Sequence, residues 1–212
     1  MRALLKMAGE IEFHATAAIS AVERALASSA TTPDWAALYS VATHAGCVSA
    51  FLDESASRRK LLSDAFPGRA KSFIKFTAVD EDLSQAKGVR DAIIHSDERL
   101  EEEWIRRTTS GQNPEEIEIR GIGRLPSDGR VIINWDPSRF ELSGRSASKK
   151  DAGHKVEYST VKLVELRGQL QNVETGISRL GPFVDEMIAS APGWYPPPQR
   201  IKVTESPPTN SH

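Results

Sequence analysis

The sequence predicts a mainly α protein with a small antiparallel β-meander placed before its last long helix. Three observations predict this. Apolar residues recur at spacings of three and four through most of residues 2–107 and again after 159. Between them the period changes: Glu116–Gly121 and Phe140–Leu142 alternate with a period of two, and Arg130–Trp135 is a short strand-like run. The turn sequences Ser127-Asp128-Gly129 and Asp136-Pro137-Ser138 punctuate that stretch. Residues 1–190 read as one domain that includes the β insertion at about 116–142. Residues 191–212, with Pro196-Pro197-Pro198 and Pro207-Pro208, read as a weakly ordered Pro-rich tail.

The first helix, about residues 2–28, lines up Leu4, Ala8, Ile11, Ala15, Ala18, Val22 and Leu26. Its alanines keep the stripe thin, so neighbouring helices can come close. A break follows at Ser28–Thr31. Thr32 can cap the next helix, Pro33 suits its first turn, and Asp34 complements its positive end. That second helix runs from Pro33 to about Glu54, with Trp35, Leu38, Ala42, Ala45, Val48 and Leu52 on its apolar side. A shorter segment, 57–66, stops at Pro67-Gly68, and 69–78 are too short to assign. A further helix starts near Asp80-Glu81-Asp82 and runs to about Arg107. Strands follow at 116–121, 130–135 and 140–142, then a polar, Gly-rich loop at 143–154. The last helix, about 159–180, carries Val161, Val164, Leu170, Val173, Ile177 and Leu180. Gly181-Pro182 interrupts it, with room for a short extension to Ala189.

Composition excludes several classes. The chain has 212 residues, 39% of them hydrophobic, enough to build a core. Lys and Arg number 27 against 29 Asp and Glu, a formal charge of -2. That balance argues against coating nucleic acid through bulk positive charge, but leaves room for an enzyme that engages RNA at one small site. The single cysteine, Cys47, cannot form an internal disulfide. Lying among Ala45, Val48 and Phe51, it reads as a small buried core residue rather than a nucleophile. The N-terminal stretch holds no apolar run suited to a signal peptide or membrane span, so a soluble, cytoplasmic protein is expected.

The chemically pointed segment is Arg90-Asp91-Ala92-Ile93-Ile94-His95. On a helix, Leu83, Ala86, Val89, Arg90, Ile93, Ile94, Asp97, Leu100 and Trp104 fall on one arc. Arg90 and Asp97 therefore sit among apolar side chains, which is costly unless each is paired or faces a cleft. A partly buried charge network that fixes helix packing would satisfy this equally well. His95 lies about 140° round the helix from Arg90. One regular helix does not aim both at one small group. A joint site needs the helix to deform here, or a second copy of it from a partner. An imidazole titrates closest to neutrality, which suits general acid or base work. The plain alternative is a solvated surface histidine.

These residues fit the Arg-x4-6-His motif, and the segment resembles the HEPN superfamily (higher eukaryotes and prokaryotes nucleotide-binding domain). Asp91 supplies the polar residue that typically follows the arginine. The continuation His95-Ser96-Asp97-Glu98-Arg99-Leu100, then Trp104, is similar to a bacterial HEPN-like group with a His-x-Asp-Glu-Arg-Leu run. The resemblance covers residues 1–107 plus the helix after 159. It implies a compact, up-down helical bundle, often dimeric, in which two motifs meet at the dimer interface and cleave RNA without metal. By that resemblance Arg90 holds the scissile phosphate. His95 exchanges protons with the 2'-hydroxyl or the leaving oxygen. Asp91 orients one of these two side chains. Asp97 and Arg99 are secondary candidates. A toxin-like protein with an antitoxin or other protein partner is the setting the resemblance implies, while many HEPN members only bind partners.

The meander is not part of the minimal HEPN bundle. Basic runs at Arg58-Arg59-Lys60, Arg106-Arg107 and Lys149-Lys150 read as ordinary solvated patches, and Glu101-Glu102-Glu103 as a solvated face. His14, His44, His154 and His212 are scattered without metal-ligand spacing, and His44 reads as a core histidine. Gly121-Ile122-Gly123 lacks the third glycine and following helix of a dinucleotide site. No metal or cofactor is expected.

Overall fold

The computed structural model describes residues 2–53, 73–75, 77–146 and 156–182. The segments at 57–66 and 147–155 and the Pro-rich tail lie outside them.

Helix α1 spans Arg2–Ala27, and the predicted stripe is its buried face: Ala8, Ile11, Ala15, Ala18 and Val22. Helix α2 spans Trp35–Leu52. Its cap is Asp34 rather than Thr32. The Asp34 carboxylate accepts the Ala37 amide at 2.8 Å, which leaves Pro33 outside the helix. By length and composition α2 could cross a membrane. Here it is a core helix packed between α1 and the helix that carries Arg90, with Leu38, Val41, Ala42, Ala45 and Val48 buried.

The long helix expected from 80 to 107 is two helices, α3 (Ser84–Ile94) and α4 (Ser96–Thr109). Asp80, Glu81 and Asp82 precede α3. Asp82 accepts the Ser84 amide at 2.9 Å, and that hydrogen bond holds its carboxyl below the usual range. His95 is the joint. Its backbone (φ -107, ψ 32) leaves helical geometry, yet its amide donates to Asp91 O and its carbonyl accepts from the Arg99 amide, both at 3.0 Å.

The buried face changes character at this joint. α3 buries Ala86, Val89 and Ala92, whereas α4 buries Arg99, Glu103 and Arg107. Ile94, Trp104 and Ile105 face outward. The single apolar arc through Asp97 and Trp104 is thus corrected, since both are exposed. The buried positions keep helical spacing across the joint, with Val89, Ala92, Arg99, Glu103 and Arg107 falling on one face. The inner side of α4 then meets Asp128 and Arg145, which match its charges, instead of the apolar bundle.

A 3-10 turn at Pro114–Glu116 leads into four strands: β1 (Glu118–Ile122), β2 (Val131–Asp136), β3 (Glu141–Arg145) and β4 (Tyr158–Lys162). Their order is β1-β2-β3-β4. The last two pairings are antiparallel, but β1 runs parallel to β2, with Glu118 opposite Val131 and Ile122 opposite Trp135. The expected antiparallel meander is therefore a mixed sheet. Gly123 (φ 104) and Gly129 (φ 77) let the 123–130 connection loop back to the start of β1 instead of making a hairpin. Ser143–Arg145, expected as loop, completes β3. β4 occupies what read as the first turn of the last helix, because Val161 fits a strand and a helix period equally. α5 begins at Leu163 and ends at Ser178.

The chain is thus mostly helical with a small mixed sheet. α5 packs on α1, α1 on α2 and α2 on α3, and the sheet covers α3 from the other side. One apolar core joins these layers, from Ile11 and Leu38 through Val89 to Trp135, Leu142 and Leu170. The sheet approaches α3 closely at Gly144. A Cβ there would stand 2.7 Å from Ala92 Cβ and 3.0 Å from Val89 Cα. The β insertion is therefore a wall of the helix that carries Arg90.

Candidate functional site

The site is built on α3 and its joint with α4. α3 is fixed at both flanks: Lys87 pairs with Asp53 at the end of α2 at 3.0 Å, and Gln85 Oε1 accepts the Thr160 amide of β4. Arg90 faces α2. Its Nη1 donates to Gly46 O at 3.0 Å, and its Nε and Nη2 donate to Asp91 Oδ1 at 3.1 and 2.8 Å. Its side chain is 18% exposed. Asp91 thus orients the arginine.

His95 is 46% exposed, with Nδ1 3.2 Å from Glu98 Oε1. The Glu98 carboxylate engages one ring nitrogen, Nδ1, and Nε2 makes no hydrogen bond among the described residues. Within one chain Arg90 and His95 bond to different partners. The helix does deform, and it deforms at the histidine. Of the secondary candidates, Asp97 is exposed. Arg99 is buried and pairs with Glu102 at 3.1 Å, so it is drawn inward, away from a reaction surface.

Under α4 lies an ionic cluster that sequence reasoning missed. Glu103 is fully buried. It bonds Arg106 and Arg107, and Arg145 Nη1 lies 2.6 Å from it. Arg107 also reaches Asp128 at 2.8 Å and Glu116 at 3.2 Å. Hydrogen bonding to Glu103 raises the Arg106 pKa. Beside the cluster the Tyr158 hydroxyl donates to Val131 O, and burial pushes its pKa up to about 12. Arg106-Arg107 and Glu103 are therefore not solvated patches, and these arginines are committed inside the protein. Only their i, i+3 and i, i+4 spacing hinted at this.

Other side chains depart from expectation too. Cys47 is half-buried rather than buried. His44 is half-buried and meets His14 across the α1–α2 contact, Nδ1 to Nδ1 at 2.8 Å. Burial and the neighbouring His14 lower the His44 pKa. Among the described residues no group of three or more metal-ligating side chains forms.

A second surface cluster joins α2 to β1. Trp35 and Tyr39, one helical turn apart, hold their ring centroids 6.1 Å apart with the ring planes inclined at 63°. The Arg120 guanidinium carbon lies 5.7 Å from the Trp35 ring centre and 5.2 Å from that of Tyr39, and Nε donates to the Tyr39 hydroxyl at 2.9 Å. In comparisons with known proteins, no family model, no curated protein and no solved structure matches this chain.

Proposed function

We propose that this protein is a HEPN-like, metal-independent endoribonuclease, toxin-like in kind, that works as a homodimer through His95, Arg90 and Asp91. One observation carries the reading: the helix breaks at His95, which leaves an exposed imidazole with a carboxylate partner, one helix segment from an arginine oriented by Asp91. In the proposed reaction the ribose 2'-oxygen bonds to phosphorus as the bond to the 5'-oxygen breaks. His95 takes the 2'-hydroxyl proton or supplies one to the departing oxygen. With two copies present, one imidazole can serve each end. The outward Ile94 beside the joint, with Trp104 and Ile105 further along α4, gives a partner copy apolar side chains to cover.

The test is incubation of the purified chain with single-stranded RNA in the presence of a chelator. Wild type cleaves, and His95→Ala loses about 10²- to 10⁴-fold in rate. Equal cleavage by both removes the role of His95.

A second reading has its own support. Arg90 spends one donor on the Gly46 carbonyl and is mostly buried, which suits a non-catalytic HEPN-like bundle that binds a protein or nucleotide. Under it, wild type cleaves no RNA and Arg90→Ala melts at a lower temperature.

A further inference from the structure

We infer that Trp35, Tyr39 and Arg120 form a stacking site for a base of single-stranded RNA, separate from the His95 joint. The choice of RNA over other planar ligands rests on the reading above.

The three side chains come from two elements. Trp35 and Tyr39 lie on the first turns of α2, half-buried, with part of each ring open. Arg120 is exposed on β1, the edge strand of the sheet. Its Nε bond to the Tyr39 hydroxyl fixes the guanidinium over the rings. Its Nη groups have no hydrogen-bond or ion-pair partner among the described residues, although Glu118 stands two positions away on the same strand. The arginine is therefore held in orientation while most of its donors stay free.

A clasp between β1 and α2 would be the simpler purpose, but the fold has little need of one. β1 already pairs with β2 from Glu118 to Ile122. An exposed cation–aromatic contact adds only about 0.5–1 kcal/mol. What the arrangement does provide is an oriented guanidinium held over two inclined aromatic rings, with free N–H groups at its rim. Bases stack on aromatic and guanidinium planes, and those N–H groups can take a phosphate oxygen or a base edge. The contrast with Arg106, Arg107 and Arg145 is direct, since those three spend their charge on Glu103.

The experiment is fluorescence anisotropy of the full chain with a labelled, fully 2'-O-methylated oligoribonucleotide, which binds but cannot be cleaved. Arg120→Ala weakens binding roughly fivefold to a hundredfold. Arg120→Lys, which keeps the charge but lacks the plane, weakens it nearly as much, and Tyr39→Phe weakens it less. An oligonucleotide abasic at every position binds wild type and Arg120→Ala alike. Melting temperatures are compared in parallel, and if Arg120→Ala melts early the lysine variant decides. The inference is overturned if wild type does not bind. It is equally overturned if both Arg120 variants bind as wild type does, or if the abasic strand binds wild type as tightly as the intact one. The two readings fail separately. Unchanged binding by the Arg120 variants, with cleavable RNA still cut in a His95-dependent way, removes this site alone. Binding through Arg120 with no cleavage removes the catalytic reading alone.

Discussion

Gly46 receives the Arg90 guanidinium on its backbone carbonyl at 3.0 Å, and the space its missing side chain leaves is where the Arg90 stem lies. A Cβ at 46 would stand 2.7 Å from Arg90 Cβ and 2.8 Å from Arg90 Cδ. The near end of the arginine cannot swing away cheaply, so α2 and α3 would have to part. Gly46→Ala is predicted to destabilise the protein by roughly 1–3 kcal/mol. Urea unfolding would read this directly, and an unchanged midpoint would contradict the packing described.

Glu103 is the shared counter-charge of Arg106, Arg107 and Arg145. Glu103→Ala strands buried guanidinium groups and is predicted to cost about 3–5 kcal/mol. Glu103→Gln keeps the shape and one acceptor but not the charge, and falls between. Thermal unfolding of both variants in low and high salt distinguishes this cluster from an exposed one. A buried cluster responds little to salt, so a large salt effect would argue against its burial.

The His14–His44 contact predicts acid sensitivity. The His44 pKa in the folded protein lies below its ordinary 6.5. Between the two values the unfolded chain binds more protons, so stability rises with pH there. It is complete above 6.5, falls as pH drops below that value, and levels off beneath the folded value. His44→Gln flattens this slope. Melting temperatures measured between pH 7.5 and 5 for both proteins check it, and parallel curves would sink the assignment.

Tyr158 predicts the opposite flank. Its folded pKa of about 12 lies above the ordinary 10.0. The folded state then holds the proton longer, so this contribution is present below 10 and is lost as pH rises towards 12. Ultraviolet titration of the three tyrosines should show one ionising late, and Tyr158→Phe should remove that late step. Three tyrosines ionising together would refute the burial of this hydroxyl.

The sequence reading succeeded where one face of one helix meets one kind of neighbour. The stripe from Ala8 to Val22 and the run from Leu38 to Val48 are buried as their spacing required. It failed where the buried face is charged. The expected arc followed the apolar Leu100 and Trp104, whereas the buried face through Ala92, Arg99, Glu103 and Arg107 lies about a quarter turn away. Pairings distant in the chain were equally hidden. Arg145 reaches Glu103 across 42 positions (145 less 103), and β1 lies parallel to β2 because of two turning glycines rather than any strand pattern. At the site, the Arg90-to-His95 segment and the Asp91 contact were legible in sequence. Glu98, three residues past His95, was within reach of helical spacing, whereas Gly46 and the Arg120 platform depend on tertiary contact.

The ionic cluster beneath α4 has a consequence for aim. A helix pivoting on His95 could sweep its far end through a cone of directions. Arg107, tied to Glu116 of the 3-10 turn and to Asp128 of the β1–β2 connection, and Glu103, paired with Arg145 of β3, anchor the far end of α4 to the β insertion. The course of α4 beyond the imidazole is therefore held three turns downstream of it, by charges that belong to the β insertion.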